Sequence, residues 1–269
     1  MKYCVASNLT GSSTTPVPLN GDFCGNLERA KIMGYDAIEI HVPDVRVLDV
    51  PRLLETMERT QMAVATLGTG TIYGKYGLHL CDESEENQQR LFEMVAGFVD
   101  TAAQLGSRVT IGSIKGNILC GQDRAKHLEI LGHALARIDR YAGERNVCIL
   151  LEATNRYENN VLNTGSDLAA IIRNYNLVHT RALMDAFHMN IEEKDGAQGL
   201  EDVRACLGHI HFADNNRLYP GAGCFDFARF AEKIREIGYD GVLSVECLPL
   251  PWGDEAARRA CEFLHKTFD

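Results

Sequence analysis

Val147-Cys-Ile-Leu-Leu-Glu152, Thr180-Arg-Ala-Leu-Met-Asp185, Gly208-His-Ile-His-Phe-Ala213 and Gly241-Val-Leu-Ser-Val-Glu246 decide the fold. Each is a short apolar run of strand length, rich in β-branched and aliphatic side chains. Each carries an acid or a histidine at or near its end. Glu152, Asp185, His211 and Glu246 are 33, 26 and 35 residues apart, about one strand–helix unit each time. Four strands at that spacing need helical crossovers, which implies a parallel sheet.

Working outward, the same rhythm fills the rest of the chain. Further strands are expected at 3–7, 36–41, 62–67 and 108–112, preceding those at 147–152, 180–185, 208–213 and 241–246. Helices are expected near 22–34, 50–60, 86–105, 124–144, 166–175, 199–206, 226–237 and 254–267. Met33-Gly34 and Ile237-Gly238 read as helix ends, and each is followed by Tyr-Asp and a strand, so one turn type occurs twice. Eight strands alternating with eight helices fit a single (β/α)8 barrel over residues 1–269, and the length suits one such domain. An open doubly wound sheet would want a glycine-rich turn after the first strand, where Gly11 stands alone. Gly68-Thr-Gly70 lacks a third glycine and is a weak nucleotide signal.

Composition narrows the function. The net charge of −10 argues against a nucleic-acid partner, which needs a basic face. The apolar runs are too short to span a membrane, and the first residues lack the apolar stretch of a signal peptide, so a cytoplasmic enzyme is expected. Nine cysteines without a Cys-x-x-Cys pair disfavour structural zinc and a disulfide framework. Cys148 reads as a small buried hydrophobe. Oligomeric state is not legible, and a homo-oligomer stays open.

In a barrel all strand ends open on one face, where active sites lie. Glu152, Asp185, His211 and Glu246 would therefore meet there. Gathering three carboxylates is costly without a cation, and a divalent metal is the simplest one. An oxygen-rich set with one imidazole suits Mn²⁺, with Co²⁺ or Mg²⁺ as alternatives. His209 points to the same side as His211 but stands roughly 6–7 Å from it along the strand. It reads as a core or supporting histidine. Glu158, His188 and Arg217, on the loops after three of these strands, would reach the same mouth and contact substrate. Lys115, after the fourth strand, is expected there too as a cation for an anionic substrate. Glu192 and Glu193 read as a solvated helix start.

Three loops carry a recognisable pattern: Leu-Glu-Ala-Thr-Asn-Arg-Tyr-Glu (151–158), Met-Asp-Ala-Phe-His-Met-Asn-Ile-Glu-Glu (184–193) and His-Phe-Ala-Asp-Asn-Asn-Arg (211–217). They resemble the tagatose/psicose 3-epimerase group of the xylose-isomerase-like barrels. Residues 220–227 and 244–251, with 67–70 and 111–116, look closer to the 5-keto-L-gluconate epimerase branch. The match is dense over 147–253, partial over 62–117 and loose before that. Ala153-Thr154 and Ala186 depart from the group where it usually has proline and threonine; they flank the ligands and bear on pocket shape.

The resemblance implies that Glu152, Asp185, His211 and Glu246 bind the metal. It further implies that Glu152 and Glu246 exchange protons with a ketose or keto-sugar acid, and that Glu158, His188 and Arg217 hold its C1–C2 end. Chemically, a metal at the carbonyl stabilises an enediolate, and one carboxylate on each face of it inverts the C3 centre. A ketose–aldose isomerase on the same barrel is the alternative reading. A zinc-dependent abasic-site endonuclease would need histidines at the third and fourth strand ends, which are Leu67-Gly-Thr69 and Ile111-Gly-Ser113. A non-catalytic sugar-binding protein would not need both glutamates.

Overall fold

The computed structural model describes all residues, 1–269. Eight parallel strands form the barrel: β1 (Lys2–Asn8), β2 (Ala37–His41), β3 (Ala63–Gly68), β4 (Arg108–Ile111), β5 (Ile149–Glu152), β6 (Thr180–Asp185), β7 (Leu207–Phe212) and β8 (Val242–Val245). Each pairs in parallel with the next, and β1 pairs with β8 through Lys2↔Val242 to Val5↔Val245, which closes the sheet. The two residues Leu19–Asn20 add a short ladder to the end of β1.

Ten helices surround it: α1 (Phe23–Met33), α2 (Val50–Thr60), α3 (Gly70–Tyr76), α4 (Glu85–Leu105), α5 (Arg124–Gly143), α6 (Gly165–Asn174), α7 (Ala186–Glu192), α8 (Gly196–Asp202), α9 (Phe227–Glu236) and α10 (Gly253–Phe268). Their starts are set by side chains that accept from free backbone N–H groups: Asp22 on α1, Asp49 on α2, Ser84 on α4, Asp123 on α5 and a Thr164–Asp167 capping box on α6. The repeated turn is as read from sequence. Gly34 and Gly238 sit at φ +100° and +69°, where a side chain would be strained. Each following tyrosine donates to a backbone carbonyl, Tyr35 to Ala257 and Tyr239 to Val242.

All eight strands fall where expected, to within two residues at each end. The helix expected at 199–206 is instead α8, Gly196–Asp202, because Asp195 accepts from Ala197 N and starts the helix three residues earlier. Two short helices were not expected, α3 and α7. Both begin within two residues of a barrel strand and form part of the mouth. Cys148 is half-buried rather than buried, just before β5.

Apolar side chains such as Phe98, Leu131, Leu168, Phe212 and Ile234 pack the layer between helices and sheet. Inside the barrel much of the filling is polar, with Leu150 and Leu183 in register with Thr110 and His209. Glu39, Thr66, Thr110, His209, His211 and Ser244 are all buried. Glu39 on β2 touches His209 and His211 on β7. These strands are not neighbours in the sheet, so the contact crosses the lumen.

Candidate active site

Glu152 closes β5, Asp185 closes β6, His211 is the penultimate residue of β7 and Glu246 follows β8. The barrel brings them together as expected: one ligand atom from each lies within 4.8 Å of the others. His211 Nδ1 is 3.4 Å from Glu246 Oε2, 3.5 Å from Glu152 Oε1 and 3.8 Å from Asp185 Oδ2. Ligands about 2.1 Å from one ion stand roughly 3.0 Å apart in cis and 4.2 Å in trans, so the spacing fits a divalent cation. Glu152 Oε1 and His211 Nδ1 are buried without a hydrogen-bond partner, which a coordinated ion would satisfy.

Local structure fixes each ligand. Asp185 is both strand end and helix cap: its Oδ1 accepts from Phe187 N (2.8 Å) at the start of α7, which leaves Oδ2 turned to the cluster. Gly112 lies against Glu152, and a Cβ there would overlap Glu152 Oε2. Arg217 Nη1 donates to Asp185 Oδ2 at 2.5 Å, and its Nη2 donates to Glu246 Oε2. The Arg217 guanidinium also lies 4.8 Å from the Phe187 ring centroid. Its backbone is left-handed, φ +63°, held by Arg217 N donating to Asp214 O and Leu248 N donating to Arg217 O. Asp214 braces that loop by accepting from the backbone N–H of Asn215, Gly221 and Phe225.

His188 lies on α7 with Nε2 3.9 Å from Glu152 Oε1 and 4.0 Å from Asp185 Oδ2. Its Nδ1 pairs with Asn155 Nδ2 at 2.7 Å, and Asn155 donates to Glu158 at 3.4 Å. Glu158, His188 and Arg217 therefore do meet the four-residue cluster at one mouth. They line a cavity of about 200 Å³ with Glu152, His211, Glu246, Asn8, Thr69, Thr71 and Ser113. A larger hollow of about 370 Å³ between α7, α8 and α9 lies outside this cluster and brings no set of ligating side chains together.

Lys115 does not line the cavity. Its side chain is fully buried, and Nζ donates to the Glu152 carbonyl (2.5 Å) and to Thr154 Oγ1 (3.0 Å). The expected anion contact is thus replaced by a brace under the 152–154 backbone. The turn Ser113–Lys115 after Gly112 folds the side chain back beneath the loop. Glu192 and Glu193 are not a solvated helix start either. They end α7: Glu192 accepts from Arg156 N, Nε and Nη2, and Glu193 accepts from Gly165 N.

Electrostatics sort the carboxylates. Burial pushes the pKa of Glu246 up, but Arg217 and His211 outweigh it and hold the carboxyl well below the usual range. Asp185 is likewise lowered: burial opposes, while Arg217, His188 and His211 prevail. Glu158 goes the other way, since burial outweighs the pull of His188 and Arg217. Burial opposes the charged form of His211, yet Glu39 and Glu246 raise it well above the ordinary value.

Three residues were missed in the sequence: Glu39, His41 and the loop-bracing Asp214. His41 lines the cavity, with Nε2 3.9 Å from Glu246 Oε1. Glu39 lies beneath it. For the first two a signal was present: in Asp-Ala-Ile-Glu-Ile-His (36–41), Glu39 and His41 share one strand parity, like His209 and His211.

A closed barrel with four candidate metal ligands gathered at its carboxyl-terminal mouth defines a TIM barrel with a candidate metal site. The chain belongs to the xylose isomerase-like TIM barrel family, which it matches over residues 27–267. Among curated proteins it is 29% identical over 226 residues to the 3-dehydro-D-guloside 4-epimerase of Escherichia coli K12, covering 80% of this chain and 83% of that one. It is 28% identical over 229 residues to the ketose 3-epimerase of Arthrobacter globiformis, covering 82% and 76%. These relatives are named epimerases, isomerases that act on sugars. The fold superimposes on a D-psicose 3-epimerase from Clostridium cellulolyticum H10 solved with D-tagatose, with a TM-score of 0.86, 18% identity and full coverage of both chains.

Proposed function

We propose that this protein inverts the carbon next to the ketone of an uncharged keto-sugar through a planar enediolate. The observation that carries this is the convergence of Glu152 and Glu246 on one ligand cluster from strands β5 and β8, which lie three apart around the barrel. Two carboxylates reaching one point from different sides suit removal of a proton from one face and its return to the other. Glu152, Asp185, His211 and Glu246 would hold one divalent ion, Mn²⁺ by choice of donors, with Co²⁺ or Mg²⁺ as substitutes. Such an ion stabilises the negative charge that develops on the carbonyl oxygen. Glu158, His188 and Arg217 orient the carbonyl end. Asn8, Thr71 and Ser113, each partly exposed along the cavity, offer neutral hydrogen bonds to hydroxyls.

The charge of the substrate is read from the lining. Arg217 is the only lysine or arginine there, and it is already engaged by Asp185 and Glu246. An uncharged sugar fits this better than a keto-sugar acid or a phosphate. It also agrees with three relatives named for neutral sugars, whereas a relative 26% identical over 186 residues is named for hydroxypyruvate, a keto acid. The nine free cysteines support a reducing, cytoplasmic location.

The test is a panel of D-psicose, D-tagatose, L-ribulose, a 3-keto-glucoside and a ketouronate, incubated with Mn²⁺ in D2O and resolved by chromatography. One neutral sugar should give its epimer with deuterium at the inverted carbon. An aldose product would instead establish the isomerase reading, and preference for the ketouronate would overturn the neutral-substrate assignment.

A further inference from the structure

We propose that Glu39 is a positioning residue for the metal centre: it fixes the tautomer and ring orientation of His211 from beneath. This rests on the metal-site reading above and adds to it a residue outside the ligand set.

Glu39 is fully buried on β2, and both of its oxygens face histidines across the lumen. Oε1 pairs with His209 Nε2 at 2.6 Å. Oε2 is 3.2 Å from His211 Nε2 and 3.5 Å from His41 Nε2, at ion-pair distance from both rings but without a well-aligned hydrogen bond to either. The two nitrogens of His211 are thus divided. Nε2 faces Glu39, and Nδ1 faces Glu152, Asp185 and Glu246. A carboxylate only accepts, so a proton on Nε2 is favoured and the Nδ1 lone pair is left for a cation. Without it, the three carboxylates around Nδ1 would favour a proton there. His209 completes the device: by occupying Oε1 it leaves Oε2 for His211, and its ring packs edge-on against that of His211, 5.2 Å between centroids.

The same three residues, Glu39, His209 and His211, have the composition of a second metal site. The 2.6 Å separation of Glu39 Oε1 and His209 Nε2 argues against it. Two atoms bound to one ion at about 2.1 Å normally stand roughly 3 Å or more apart, whereas a charge-assisted hydrogen bond has the observed length. Glu39 therefore orients ligands rather than binding metal. Carboxylates that hold a ligating histidine by its other nitrogen commonly change metal affinity by about 10–100-fold.

The experiment compares wild type and Glu39→Gln for Mn²⁺ affinity by chelator competition, with His211→Asn as the ligand-deficient reference. Wild type should bind one ion, and Glu39→Gln should bind about 10–100-fold more weakly, with kcat recovered at high Mn²⁺. Glu39→Asp, which keeps the charge on a shorter arm, should fall between. A folded Glu39→Gln with wild-type affinity overturns the proposal. Failure of wild type itself to bind Mn²⁺ overturns the metal-site reading instead. A readout independent of any variant is the ring NMR of wild type loaded with diamagnetic Mg²⁺. His211 should carry a slowly exchanging proton on Nε2 and none on Nδ1, and the reverse assignment would sink the idea.

Discussion

Replacing Lys115 with methionine separates its observed role from the anion contact its position suggested. Burial lowers the lysine from its ordinary 10.5 to about 8, against the opposing pull of Glu152 and Glu158. At 1.36 kcal/mol per unit, that drop corresponds to about 3 kcal/mol. The sign follows from proton counting. Between pH 8 and 10.5 the unfolded chain binds more protons at this site than the folded one, so stability rises with pH through that window. Below about pH 8 the handicap of the buried charge is fully present. Methionine fills similar space and does not titrate, but it leaves Glu152 O and Thr154 Oγ1 without this donor. The lost hydrogen bonds cost roughly 1.5–3 kcal/mol, comparable to the burial handicap. In EDTA near pH 7, Lys115→Met should thus unfold in urea close to wild type. Toward pH 10.5 wild type should gain about 3 kcal/mol on the variant. Because both chains share every other titrating group, the difference isolates Lys115. A wild-type-minus-variant difference that stays flat with pH would refute the reasoning. In kinetics, the variant should lower kcat for every substrate through a loosened Glu152, rather than raise KM for acids alone.

Three further outcomes are expected. Glu246→Gln should reduce kcat by about 10²–10⁴-fold at matched metal content, and a near-normal rate in the metal-loaded variant would remove Glu246 from proton transfer. Gly112→Ala should push Glu152 Oε2 aside and lower kcat/KM roughly 10–100-fold with little change in Tm; unaltered kinetics would show that the carboxylate does not work from its observed position. His211, made more basic by Glu39 and Glu246 despite burial, should hold a proton against the metal, so Mn²⁺ affinity should fall as pH drops and binding should release protons, both measurable by calorimetry in two buffers. A pH-independent affinity would contradict that.

Much of the fold was legible because strand periodicity and unit spacing are local properties of the chain. The four ligand candidates were legible for the same reason: an acid at the end of an apolar run stands out against its neighbours. What could not be read depended on where side chains turn after the strand ends. Asp185 ends β6 and caps α7 at once, so no loop separates them, and Ala-Phe-His-Met-Asn-Ile-Glu has no stripe long enough to announce a helix. Lys115 faces inward rather than to the mouth because the turn at 113–115 reverses it, which spacing does not reveal. Asp214 was passed over since its work is done on three backbone N–H groups up to 11 residues away. Glu39 left a trace in strand parity, but its role was not legible for another reason. A carboxylate inside a strand only makes sense once its partners across the barrel are known.

The charge balance at the mouth ties these pieces together. Glu152, Asp185 and Glu246 carry three negative charges when ionised, and the proposed divalent ion together with Arg217 would supply three positive ones. Glu39 and its histidines lie below as a separate buried group, and Lys115 is turned away from the cavity under the 152–154 backbone. Burial raises the pKa of Glu158, and this carboxyl adds no cation for an anionic substrate to meet. A carboxylate or phosphate on the sugar would enter a site with no unengaged lysine or arginine, facing buried acids at low dielectric. A neutral polyol brings only hydroxyls, for which the rim has matching partners. Reversing that preference should therefore take an added cation at the rim. Thr71→Lys is expected to lower KM for a ketouronate selectively, and equal changes for acid and neutral sugar would mean that charge at this rim does not set the choice.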